Sequence, residues 1–206
     1  MSIQESLKIV SKGDIALIEW DLLGEKVNKL SSAIMVRLEE LLKEISQSSY
    51  KAVVFISRKP KIFIAGADIN EIQGFKNQED FLQAANRGHK IINLIEDMPI
   101  PFVAAIHGAC LGGGCELSLA CDYRMATSDE STRIGLPETR LGIIPGLGGC
   151  VRLPRVIGLQ ASLDIILAGK SVDGKKAKKL GLIDELVYKE NLESEALKLA
   201  HEAMSR

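Results

Sequence analysis

Two uninterrupted apolar runs, with one amphipathic stripe between them, constrain this chain more than any other feature. Ile15-Ala16-Leu17-Ile18 and Val53-Val54-Phe55-Ile56 show no polar alternation, so strands built from them need cover on both faces. Between them, Leu30, Ile34, Leu38, Leu41, Leu42 and Ile45 recur at helical spacing, with Arg37, Glu40 and Glu44 opposite. A buried strand, a one-faced helix and a second buried strand predict an α/β fold with largely parallel pairing. Phe102 to Ile106 and Tyr123 to Ala126 read as further strands. A second helical stripe runs through Phe81, Ala84, Ala85, Ile91, Ile92 and Ile95. Later helices are expected from Leu159 to Ala168, Gly174 to Leu180 and Leu192 to about Met204, and Ser31 or Ser32 is the expected N-cap of the first helix. An open, a barrelled and a coiled sheet all satisfy this pattern.

Composition removes several function classes. A chain of 206 residues suits one domain with its own core. A net charge of -1 gives no electrostatic footprint for nucleic acid or an acidic membrane surface. Cys110, Cys115, Cys121 and Cys150 form no CxxC pair and have no histidine at zinc spacing, so they read as small buried thiols in a reducing compartment. Met98 to Cys115 carries no formal charge, yet Pro99, Pro101, Gly108 and Gly112 to Gly114 suit a spanning helix poorly. This stretch reads as a buried strand running into a glycine turn. Met1-Ser2-Ile3-Gln4-Glu5 lacks the basic flank and apolar run of a signal peptide.

Three glycine-rich stretches invite a nucleotide-binding reading, and two fail at once. Ala168-Gly169-Lys170-Ser171 ends like a P-loop, but Asp164 stands where the earlier glycine is required. Gly146-Leu147-Gly148-Gly149-Cys150-Val151 opens like a dinucleotide fingerprint, but Val151 occupies the final glycine position. The third, Gly112-Gly113-Gly114-Cys115-Glu116, follows a strand-like run and precedes a segment able to start a helix. Backbone N–H groups there can approach an oxygen that gains negative charge, aided by the helix dipole. Phe63-Ile64-Ala65-Gly66-Ala67-Asp68-Ile69 also follows a strand and offers small residues. Two donors converging on one oxygen would make an oxyanion hole.

These residues carry a resemblance. Ala65 to Ile69 and His107 to Leu117 resemble the two signature regions of the crotonase (enoyl-CoA hydratase/isomerase) superfamily. Ile134 to Gly146, Gly148-Gly149 and Arg152-Leu153-Pro154-Arg155 continue the likeness, which covers nearly the whole chain. It implies a ββα spiral of coiled, mostly parallel sheets with surrounding helices. It places the oxyanion-hole amides on Ala67 and Gly113, the catalytic carboxylates on Glu116 and Glu138, and Ala65, Gly66, Asp68, Ile69 and Asn70 along the bound acyl-CoA. Glu116 would activate water and Glu138 would supply the proton. His107 is read as packing behind the glycine loop.

The implied reaction is hydration of a 2-enoyl-CoA in fatty-acid β-oxidation, with no cofactor beyond the thioester substrate and no metal. The alternatives are a Δ3-Δ2-enoyl-CoA isomerase and a truncated acyl-CoA-binding domain without turnover. Leu23 to Leu30 and Arg133 to Thr139 are most similar to the N-terminal hydratase domain of multifunctional fatty-acid oxidation α subunits, in which a dehydrogenase follows. Residues 1–190 are then the core domain, and residues 191–206 the start of a truncated C-terminal helix. Expected partners are two further copies in a homotrimer, or a thiolase subunit in the full complex. No nucleic acid and no membrane span are expected. The expected compartment is the bacterial cytoplasm, with the mitochondrial matrix second.

Overall fold

The computed structural model describes residues 3–205. Met1, Ser2 and Arg206, on which the readings of the N-terminus and of the final helix partly rested, lie outside the described residues. The chain opens with one helical turn, α1 (Ile3–Ser6), and a hairpin of β1 (Leu7–Lys12) and β2 (Ile15–Trp20), antiparallel from Leu7↔Trp20 to Lys12↔Ile15. Helix α2 (Ser32–Ser46) crosses to β3 (Ala52–Ser57), parallel to β2 with Ile15 opposite Ala52. Ser31 is the N-cap, its hydroxyl accepting from Ile34 N at 3.3 Å.

One manoeuvre is then made three times: a long strand, a short strand in a second sheet, and helices leading back. First come β3, β4 (Ile62–Ile64), α3 (Ile69–Gln73) and α4 (Gln78–Glu96). Next are β5 (Phe102–Ile106), β6 (Ala109–Leu111) and α5 (Gly113–Ala120). The third pass runs through β7 (Tyr123–Thr127), β8 (Arg133–Gly135), a 3-10 turn (Glu138–Leu141), α6 (Gly149–Ile157) and α7 (Leu159–Ile166). Strand β9 (Ser171–Val172), α8 (Gly174–Leu180), β10 (Glu185–Val187), a 3-10 turn (Lys189–Asn191) and α9 (Leu192–Ala203) follow.

The long strands form a six-stranded sheet in the order β1-β2-β3-β5-β7-β10, and the short ones a four-stranded sheet in the order β4-β6-β8-β9. Among the described residues, only β1–β2 and β8–β9 pair antiparallel. The fold is therefore a mostly parallel, coiled α/β spiral of ββα units.

Both faces of the large sheet are covered, as the unalternating strand sequences require. Val53 and Phe55 of β3, with Ala104 and Ile106 of β5, face a core shared with α2, α4, α5 and the small sheet. Ala52, Val54 and Ile56 face the other way, against Leu192, Ala196, Leu199 and Ala200 of α9. Buried Asn28 ties the two sheets together. Its side-chain N–H groups donate to Trp20 O (2.9 Å), Ser57 Oγ (2.8 Å) and Phe63 O (3.1 Å), while its Oδ1 accepts from Leu22 N (3.0 Å). Helix α4 departs from expectation. Gly88, Ile91, Ile92 and Ile95 are buried, but Phe81 is 48% exposed and Ala84 is exposed too. The helix packs on α2 and α5, and all of its buried residues lie in its second half. Cys150 is a second departure: it is exposed, whereas Cys110, Cys115 and Cys121 are buried. Among the described residues, no helix is long and apolar enough to cross a membrane.

Candidate active site

The small sheet determines where chemistry can occur. Strands β4, β6 and β8 are parallel, so the segments that leave their carboxyl ends emerge on one edge. Those segments are Ala65–Asp68, Gly112–Glu116 and Leu136–Glu138. Three stretches far apart in sequence thereby become neighbours.

Ala67 forms an isolated parallel bridge with Leu30. Leu30 N donates to Gly66 O (2.8 Å), and Asp68 N donates to Leu30 O (3.1 Å). Backbone groups alternate along an extended strand, so the N–H of Ala67 projects from the opposite side. Gly113 is the first residue of α5, where a helix leaves its amides unpaired. Neither amide donates to any protein group among the described residues. They lie close together: a Cβ on Gly113 would stand 3.6 Å from Ala67 N, and one on Gly66 would stand 3.9 Å from Gly113 N. Gly112 has φ 52 and ψ -126, a conformation that L side chains rarely adopt. At Gly114 the demand is space, since a Cβ would meet Ile64 O at 2.4 Å.

Helix α5 is buried all round and carries Glu116 in its first turn. Glu116 is 2% exposed, and its Oε1 accepts from Leu147 N (2.7 Å) and Gly149 N (2.8 Å). No described group donates to its Oε2. Burial pushes the carboxyl up to about 7, against the two amides and Arg152, which pull it down; the charge of Glu138 adds to the rise. Glu138 begins the 3-10 turn, with Oε1 close to Gly112: a Cβ there would lie 3.0 Å away. Its Oε2 is buried without a hydrogen-bond partner, and burial raises its proton affinity as well.

The other expected ligand contacts divide. Ile69 is 46% exposed, and Ala67 and Asn70 are exposed, so a ligand can reach them. Asp68 is already engaged, capping α3 through Asn70 N (3.1 Å) and pairing with Lys29 at 3.0 Å. Ala65 N donates to Asn28 O (2.8 Å), and buried Gly66 offers its carbonyl to Leu30. His107 sits behind the loop, its Nε2 2.5 Å from Lys59 O. Burial pushes the Cys110 thiol up to about 12 and raises Cys115 and Cys121 too, so these are packing groups. Among the described residues, no three His, Cys, Asp or Glu side chains gather in a group able to hold a metal ion.

The residues that hold Glu116 were not singled out from the sequence. Their signal was present in Gly146-Leu147-Gly148-Gly149. Those glycines do bring backbone N–H groups to an anion at a helix N-terminus, but the anion is the chain's own carboxylate.

Two unpaired amides thus lie beside two buried carboxyls on the edge of a ββα spiral. The enoyl-CoA hydratase/isomerase family pattern matches residues 13–206, and the chain belongs to that family, the crotonases, whose members are lyases and isomerases. Within it, the chain is 44% identical over 189 residues to the fatty acid oxidation complex subunit alpha of Vibrio parahaemolyticus, covering 91% of this chain and 27% of that protein. The corresponding Vibrio campbellii protein is 46% identical over 183 residues, covering 88% and 26%. The chain thus spans about a quarter of the length of these curated relatives. Among solved structures, the enoyl-CoA hydratase of Bacillus anthracis superposes with a TM-score of 0.90 at 34% identity, covering 98% of this chain and 77% of that one. The Thermoplasma volcanium enoyl-CoA hydratase gives 0.89 at 29% identity, covering 98% and 79%.

Proposed function

We propose that this chain hydrates 2-enoyl-CoA thioesters, with Ala67 N–H and Gly113 N–H binding the thioester oxygen and Glu116 and Glu138 handling the protons. The observation that carries this reading is the pairing of two unpartnered amides with two buried carboxyls at the carboxyl ends of β4, β6 and β8. Water adds to the β-carbon of an enoyl thioester only if the carbonyl oxygen accepts charge. Two fixed donors stabilise that enolate-like state, each by about 2.7 to 4 kcal/mol.

Glu116 is the water-activating base and Glu138 the donor to the α-carbon. Burial favours a proton on Glu116, whereas hydrogen bonding favours the anion there. The hydrogen bonds decide the assignment in this reading. Whichever carboxyl ionises bears a desolvation cost, but only Glu116 has two N–H donors aimed at one oxygen, and a charge on the orphan Oε2 of Glu138 would be unpaired. The exposed stretch Ala67 to Asn70 receives the acyl-CoA, and no cofactor is required. By likeness to the Vibrio subunits, the chain acts in fatty-acid oxidation within a larger complex, with a thiolase subunit as partner, in the bacterial cytoplasm. The test is loss of the conjugated-thioester absorbance of a short 2-enoyl-CoA, with a 3-enoyl-CoA run beside it. Turnover of the 2-enoyl ester supports hydration. Conversion of the 3-enoyl ester alone would make the chain an isomerase, and binding without turnover would overturn both.

A further inference from the structure

The polar cluster around Arg152 lies outside the proposed catalytic pair but reaches it through the backbone. Arg152 is 8% exposed on α6, and all three of its guanidinium nitrogens donate hydrogen bonds. Nη1 donates to Leu147 O (3.0 Å), Nε and Nη2 donate to Glu96 Oε2 (3.0 and 2.6 Å), and Nη2 donates to Asn93 Oδ1 (2.8 Å). Gly148, at φ 105, makes the room, because a Cβ there would stand 2.0 Å from Nη1. Asn93 and Glu96 belong to α4, and α4 meets residue 147 a second time: a Cβ on Gly88 would lie 2.4 Å from Leu147 Cδ2. The clamped carbonyl belongs to the Leu147–Gly148 peptide, which lies between the two peptides whose N–H groups, those of Leu147 and Gly149, hold Glu116 Oε1.

We propose that Arg152 is a positioning residue that couples α4 to the orientation of the Glu116 carboxylate by fixing the Leu147–Gly149 peptides. This rests on the reading of Glu116 as the water-activating base. A planar guanidinium suits the role, since its donors run in fixed directions to one carbonyl and to two α4 side chains at once. An arginine that only braced the helices would engage Asn93 and Glu96; the bond to Leu147 O is what ties it to the site. Its charge acts in the same sense, lowering the proton affinity of Glu116. The other titratable groups facing Glu116 are Glu138 from the 3-10 turn, Cys150 from α6 and Cys115 from its own helix. Any displacement of α4 is thereby transmitted to the base.

Arg152→Gln, Arg152→Lys and Glu96→Gln test this on the full 206-residue chain with two independent readouts. In the first, the amide resonances of Leu147 and Gly149 are followed against pH by 15N–1H NMR. In the wild type both should titrate together with Glu116. In Arg152→Gln the common midpoint should rise by about one pH unit. Arg152→Lys should restore the midpoint but not the amide positions, because it keeps charge and loses the fork. In the second readout, hydration of a 2-enoyl-CoA should lose roughly 10- to 100-fold in kcat for Arg152→Gln with KM nearly unchanged. Glu96→Gln should lie between it and the wild type. Folded Arg152→Gln with unaltered amide midpoints and wild-type kcat overturns the proposal. So does a kcat deficit that disappears once the unfolded fraction is subtracted. If Arg152→Gln does not fold, Arg152→Lys and Glu96→Gln decide, since wild-type amide positions in the first with wild-type kcat in the second would equally overturn it. A wild-type chain that does not hydrate the ester defeats the functional reading alone; the NMR arm still decides whether Arg152 positions Glu116.

Discussion

The two sheets differ in almost every respect that matters for function. The large one has long, fully buried strands, such as β3 and β5, with apolar side chains on both faces. The small one has strands of two or three residues, interrupted by a register shift between Ile62 and Ile64. Yet the proposed hole and Glu138 all leave the carboxyl ends of the small sheet, and the large sheet contributes no proposed site residue. The difference teaches a division of labour: the large sheet supplies burial free energy, and the small one spends its few hydrogen bonds on aiming backbone amides.

The sharpest test of that division lies in the carboxyls. Glu116→Gln and Glu138→Gln should each lower hydration by roughly 10²- to 10⁴-fold without lowering the urea midpoint. A fall in stability matching the fall in rate would break the comparison. The converse substitution is Phe55→Ala in β3, which removes a side chain that is 0% exposed and whose ring centroid lies 5.8 Å from that of Phe102. It should cost about 3–5 kcal/mol of stability, while kcat per folded molecule stays near wild type. Urea titration combined with active-site-normalised rates checks both halves.

A pH series sharpens the contrast. Glu116 is raised from 4.5 to about 7, chiefly by burial. Between those values the folded chain binds more protons than the unfolded one, so stability falls as pH rises through the window. Two and a half pH units correspond to about 3 kcal/mol at pH 8. Glu116→Gln lacks this penalty and should therefore exceed the wild type in urea midpoint near pH 8, converging with it below about pH 4.5. Hydration by the wild type should rise through about pH 7 as the base ionises. The smallest effect is expected where the sheets meet. Asn28→Ala orphans Leu22 N–H and removes a donor from Phe63 O, while Trp20 O keeps Arg58 N and Ser57 Oγ keeps Lys59 N. It should cost about 1–3 kcal/mol and, because Asn28 also borders β4, lower kcat modestly. An unchanged rate would separate the two sheets completely.

Legibility followed the same line. Strands β2 and β5 and helix α8 appear with the bounds expected, and α2, β3, β7, α7 and α9 differ by one or two residues at an end or, for α2, by a start at Ser32. Each has enough residues for a period to show. Strands β4, β6, β8 and β9 are too short for any periodicity, and α6 carries Pro154 and a glycine start that hide its helical pattern. The exposed half of α4 misled in the opposite direction, because an apolar stripe says what could be covered and not whether a neighbour reaches it. Glu116 and Glu138 were found through family likeness; nothing about an isolated glutamate distinguishes a buried carboxyl from a solvated one.

By itself, the sequence determined the class of fold, because two strands without polar alternation must be covered on both faces and the helices between them present one apolar side each. It also determined which segments have glycines able to bring amides near an oxygen. Only the tertiary structure decided that these segments share an edge, that Glu116 is gripped by Leu147 and Gly149, and that Arg152 ties that grip to α4. Parallel crossovers place strand ends from separate ββα units side by side, and that adjacency comes from the coil of the sheets, to which no local spacing corresponds.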